Sequence, residues 1–156
     1  MNTVEFYITK EMIGKRIFAT SAYTARARES LGTLPAITER MLATADDTAV
    51  LNPLIDDSIN EVFTFIVRYL PESIVEFCND GYRFAIKAPE NFPADNGGKL
   101  KQCIESYIAD RALQEWYANV KPDEAAITSA RTQNEAATLQ ALLTQRVKPT
   151  RQEEKL

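Results

Sequence analysis

The chain is 156 residues long, 45% apolar and 26% charged, with a net charge of −4 and no histidine. Such a composition fits one globular domain with a core of its own. The lack of histidine removes Ser-His-Asp and Cys-His nucleophilic systems, histidine metal sites and the commonest general base, and the acidic balance argues against a protein whose task is to coat DNA.

Along the chain, Val4, Phe6 and Ile8 alternate with Glu5 and Tyr7, which predicts a short strand over 4–8. Thr9 offers an N-cap oxygen to a helix from Lys10 to about Glu29, whose apolar positions Met12, Ile13 and Ile17 give way to a small, polar second half (TSAYTARARES) expected to be exposed or docked on a partner. Gly32 and Pro35 punctuate the chain before a short helix through Ile37, Met41 and Leu42. Leu51, Leu54, Ile55, Ile59, Val62, Phe63, Ile66 and Leu70 recur at three- and four-residue steps and predict a helix over 48–70. Pro53 should then sit in its first turn, with residues 49–52 as the entry, and Pro71 ends it.

Residues 73–78 and 82–88 read as a hairpin around Asn79-Asp80-Gly81, residues that tolerate positive φ. Phe84 and Ile86 alternate there with Arg83, Ala85 and Lys87, giving one apolar and one solvated face. Asn96-Gly97-Gly98 is read as loop punctuation ahead of a helix over 99–119 with Leu100, Cys103, Ile104, Tyr107, Ile108, Ala112 and Trp116 on its apolar stripe. Lys121-Pro122-Asp123 starts a last helix to about Gln145, with Ile127, Ala130, Ala137, Ala141, Leu142 and Leu143 as its core face.

Few residues invite a chemical reading. Asp46-Asp47 and Asp56-Asp57 are adjacent pairs that point about 100° apart on a helix, so they suit caps and helix dipoles better than a shared acid–base or metal site. Asn96-Gly97-Gly98-Lys99 lacks the spacing of a phosphate loop. Cys78 and Cys103 cannot build a tetrahedral zinc site alone and are read as reduced, buried core thiols. Trp116 is read as core rather than as a surface hot spot. Arg26, Arg28 and Arg40, and again Arg146, Lys148 and Arg151, make basic regions diluted by Glu29, Glu39, Glu153 and Glu154. No signal peptide is visible, and no run approaches the ~18 apolar residues of a membrane span. The expectation is a non-enzymatic protein with no catalytic, cofactor-binding or metal-ligating residues, made and kept in the cytoplasm unless something larger carries it out.

The segment YIADRALQEWY, the Lys-Pro break after it and a helix ending TQRVKPTR, together with the opening ITKEMIGKRIFATSAYTARA, resemble small virion structural proteins of Bacteroidetes phages and prophages. That family is similar in organisation to head–tail connector (adaptor) proteins. The residue pattern reads as an α+β fold, mostly α-helical: a helix bundle with one inserted β-hairpin and a short N-terminal strand, residues 1–146 forming one domain and 147–156 a flexible charged tail, and the resemblance implies that this domain is connector-like. It further implies a subunit of a cyclic homo-oligomeric ring at the portal–neck junction of the virion, binding the portal protein and other neck or tail proteins. Such a ring would read no nucleic-acid sequence, although packaged DNA would pass through it. A tail terminator or other neck component is the alternative within the particle, and a small nucleic-acid-binding regulator the alternative outside it. Val4, Phe6 and Ile8, on a strand whose partner need not lie in the same chain, Arg83 and Lys87 of the hairpin, and Lys148 and Arg151 of the tail are the interface candidates.

Overall fold

The computed structural model describes residues 2–148. In chain order it contains β1 (Asn2–Thr9), α1 (Lys10–Ser30), α2 (Pro35–Met41), a 3-10 turn (Ala45–Asp47), α3 (Thr48–Tyr69), β2 (Ile74–Phe77), β3 (Gly81–Ala88), α4 (Asn96–Ala118) and α5 (Pro122–Thr144). The fold is the mostly helical α+β arrangement that the periodicities predict. α4 lies at its centre, packed against α5, α3, α1 and β1. Ile59, Val62 and Ile66 of α3, Leu100, Ile104 and Ile108 of α4, and Phe84 and Ile86 of β3 are fully or almost fully buried in one continuous core.

The three strands form an antiparallel sheet in the order β1-β3-β2. The N-terminal strand thus finds its partner within its own chain, and all eight of its residues pair with β3, from Asn2 opposite Ala88 to Thr9 opposite Gly81. Ile8, Tyr82, Phe84 and Ile86 face the core, whereas Thr3, Glu5, Tyr7, Arg83 and Lys87 share the other face.

The local signals for starts and stops mostly hold. Thr9 caps α1 by accepting from the Met12 amide at 3.2 Å. α1 ends in a Schellman motif, with Gly32 N–H on Glu29 O and Thr33 N–H on Arg28 O, both at 3.0 Å. Gly32 adopts φ 98°, the left-handed value this ending requires of its glycine. Pro122 opens α5 at its first position, where a missing N–H costs nothing.

Other expectations are corrected. Pro53 lies inside α3, which begins at Thr48 behind the 3-10 turn, so the carbonyl of Ala49 lacks its usual donor; the buried row Leu51, Ile55, Ile59 holds the helix together across it. The hairpin turn uses no positive φ at Asn79 or Asp80. Gly81 is needed instead for close approach, since a Cβ there would stand 2.3 Å from the Ile8 carbonyl oxygen. Gly97 and Gly98 belong to the first turn of α4 rather than to a loop. A Cβ on Gly97 would press on Val4 at 3.0 Å, and the buried Asn96 ties this turn to the end of α5 by donating to Leu142 O at 3.3 Å. The small second half of α1 is partly buried, because Ser21, Thr24 and Ala25 let neighbouring segments come close; Ser21 Oγ accepts from the Ala43 amide at 3.0 Å. Met12 points outward and is 61% exposed. Cys78 is exposed and Cys103 half-buried, both free thiols.

Candidate interaction surfaces

The charged side chains of this molecule tie its elements together, and among the described residues the buried Tyr117 hydroxyl and one Glu135 carboxylate oxygen are left without a hydrogen-bond partner. Arg83 Nη1 donates to Glu5 on β1 and Arg83 Nε to Glu76 on β2, each at 3.1 Å, so one guanidinium spans the solvent face of all three strands. Lys87 Nζ donates to Thr3 Oγ1 at 3.1 Å, and the Tyr7 hydroxyl donates to Asp80 at the hairpin turn. These half-exposed contacts fix register more than they stabilise, since exposed pairs contribute about 0–1 kcal/mol. Below the sheet, Tyr82 donates to Asp56 at 2.5 Å with Lys10 Nζ 3.9 Å from the same carboxylate oxygen, so Asp56 has a tertiary role beyond helix electrostatics. Burial, then the Asp56 carboxylate, pushes the Tyr82 phenol far above its ordinary range.

Three further clusters bind the helices. Arg28 grips the almost fully buried Glu124 through Nε at 2.6 Å and Nη2 at 3.2 Å, joining the end of α1 to the start of α5. Beside it Tyr117 is wholly buried, and burial pushes its phenol up to about 12. Glu61 of α3 accepts from Tyr107 at 2.9 Å and from Arg111 at 3.2 Å. Between α4 and α5, Asp110 and Glu135 form a carboxyl pair with Arg131 3.4 Å from Asp110. Burial and then Asp110 raise the Glu135 pKa well above the usual carboxylate range. Sequence reading weighed only adjacent Asp pairs, whereas this pair joins two helices across 25 positions, a relation invisible without the α4–α5 packing. Among the described residues, no group of three or more Cys, Asp or Glu side chains is placed to hold a metal ion, and no helix is long and apolar enough to cross a membrane.

The interface candidates separate into distinct environments. Ile8 is 1% exposed and belongs to the core, so it cannot meet a partner. Phe6 is half-buried and stacks on Phe84 with centroids 5.1 Å apart; Val4 is half-buried against Gly97. Arg83 and Lys87 lie on the sheet face, engaged as described. Lys148 is exposed just after Val147, whose amide is held by Asn91 O at 2.7 Å. Arg151, like the rest of the tail from residue 149 on, lies outside the described residues.

The register shows which backbone groups are free to bind. Lys10 N–H reaches Asp80 O at 2.9 Å, continuing the β1–β3 ladder past Thr9 and Gly81. The alternation of an antiparallel ladder then turns the even residues of β1 toward β3 and aims the N–H and C=O groups of Thr3, Glu5 and Tyr7 outward. No backbone hydrogen bond among the described residues meets them. β1 is therefore an eight-residue open edge with half-covered Val4 and Phe6 along it. A second, different open surface runs from the second half of α1 past its other end. There Tyr23 is 77%, Leu31 78% and Leu34 66% exposed, and a helix of 21 residues sets Leu31 about 30 Å from the sheet end.

A third surface lies at Trp116, which was read as core and packs against the core while keeping one side open. Trp116 continues the α4 stripe but is only half-buried, and its indole N–H donates to Met41 O at 3.0 Å. The neighbouring Tyr117 takes the fully buried place. Trp116 thereby becomes a wall of a groove of about 600 Å³ between α2, the start of α3 and the end of α4, with Leu42, Val50, Glu39, Asp47 and Glu115 around it. Comparison of the chain with family models, curated proteins and solved structures finds no match.

Proposed function

We propose that this chain is a structural subunit of a tailed-phage or prophage virion, a head–tail connector that assembles as a cyclic ring on the portal and bridges it to neck or tail proteins. The observation that carries the reading is the pair of unlike open surfaces on either side of α1: an unfilled β1 edge near its start, and the exposed Tyr23, Leu31 and Leu34 beyond its middle. A ring needs a heterologous contact, one surface of a subunit meeting a different surface of the next, and a closed rotation between them. An open edge accepts an extended segment through main-chain hydrogen bonds, and exposed aliphatic side chains supply area for a neighbour.

Two variants, each damaging one surface, test this. Thr3→Pro removes an N–H that points away from β3 and so costs no bond within the sheet; Leu31→Asp charges the other surface. Each variant should keep the circular dichroism of the parent and lose ring assembly. Mixed together, the two should form one-to-one dimers and stop there, because only one intact contact is possible. Normal rings from either variant alone would refute the heterologous contact proposed here.

A further inference from the structure

We infer that the groove at Trp116 receives the Lys148-Pro149-Thr150-Arg151 segment of a neighbouring copy of this chain. This rests on the ring reading above and deepens it by assigning an occupant to a surface that the described residues leave open.

Reach excludes the groove's own chain. Val147 is anchored to Asn91, ahead of the start of α4, by the 2.7 Å hydrogen bond to the Asn91 carbonyl. Trp116 lies 20 positions into α4, which places it about 30 Å along that helix from Asn96. Residues 148–151 extend at most about 14 Å from Val147. Lys148 and Arg151 of the same subunit therefore fall far short, and a second copy must supply the segment.

Chemistry matches the two. The groove combines a half-buried indole, fixed by its bond to Met41 O, with the partly exposed Leu42 and the exposed Val50. Three carboxylates stand around it against the single guanidinium of Arg40: Asp47 accepts from the Thr44 amide and Glu115 pairs with Arg111, whereas Glu39 makes no salt bridge among the described residues. The segment offers one proline between two cations. Proline rings pack on aromatic walls, and a residue before proline favours extended backbone, so ordering Lys148-Pro149 loses little entropy. Lys148 and Arg151 would face the carboxylate rim, with Glu39 on an exposed position of α2 where it can be reached.

Trp116 is the only tryptophan of the chain, so its fluorescence reports on this groove alone. The probe is a synthetic peptide of residues Val147–Leu156, added to the full chain carrying Lys148→Glu and Arg151→Glu, which cannot fill its neighbours' grooves. The peptide should shift Trp116 emission to the blue, saturably, with affinity several-fold weaker at high salt. Adding Glu39→Lys to the receptor chain should abolish the shift while leaving its circular dichroism unchanged. In the parent chain, emission should shift with rising protein concentration and should fail to do so in the double charge reversal. Absence of peptide binding, or binding that leaves Trp116 emission unmoved, overturns the inference. So does a parent-chain shift independent of concentration, which would mark a contact within one subunit. Rings that still form in the double charge reversal, with no peptide effect, would sink this inference and leave the connector reading standing.

Discussion

α3 and α5 are nearly the same length, 22 and 23 residues, yet they enter the core by opposite chemistry. α3 buries an aliphatic row, Leu51, Ile55, Ile59, Val62 and Ile66. α5 buries Glu124, Thr128, Thr132, Leu139 and Leu143, and turns Ile127 outward at 47% exposure. The threonines are tolerated inside because each hydroxyl bonds back to its own helix, Thr128 to Glu124 O at 2.9 Å and Thr132 to Ser129 O at 2.8 Å, with Thr132 also 3.2 Å from Gln114 Oε1 on α4. What remains outward from such a threonine is a methyl group on a short side chain, which lets α5 lie close against α4. A polar residue type thus serves as a small apolar one once its hydroxyl is internally bonded.

The contrast can be broken at several strengths. The largest effect should come from α3, where Ile59 is fully buried. Ile59→Ala should destabilise the fold by about 2–5 kcal/mol in urea unfolding, and a negligible loss would show that the aliphatic row of α3 does not anchor the core. On α5 the polar interior should make stability depend on pH. Glu135 has a folded-state pKa above its ordinary 4.5, so the folded chain holds a proton that the unfolded chain releases. Stability should therefore fall as pH rises from about 4.5 through the raised value, the reverse of a salt-bridged carboxylate. The groups facing Glu135, namely Asp110, Arg131, Arg16 and Cys103, remain in place in Glu135→Gln, which should flatten this part of the profile. An unchanged slope in that variant would assign the dependence elsewhere. The smallest effect belongs to the outer face of α5: Ile127→Ala should stay within about 0.5 kcal/mol of the parent. A loss matching Ile59→Ala would return Ile127 to the core and reverse the face assigned to α5.

The same contrast explains what was legible in the sequence. The aliphatic ladder of α3, the alternation of β1 and β3, the Thr9 cap of α1 and the Pro122 start of α5 all write their structure in local pattern, and they place five elements correctly. The buried face of α5 was missed because Ile127, Ala137 and Ala141 outrank threonine on any hydrophobic reading, and only the hydroxyl bonds reveal the reversal. The surfaces were less legible still. Alternation gave β1 its apolar residues but not its partner, so Ile8 was taken for an interface residue although pairing with β3 buries it. The Trp116 groove draws on three helices and the segment between Met41 and Asp47. That stretch has little periodicity, so its contribution emerges only from tertiary packing.

The central claim is that unlike surfaces of one subunit join into a closed ring on a portal. Mass measurement and electron microscopy of the purified full chain, alone and mixed with a tailed-phage portal protein, test that claim most directly. The account predicts closed rings of a single size seated coaxially on the portal, with subunits in one orientation around the axis. A chain that stays monomeric at high concentration and does not sediment with the portal would contradict it.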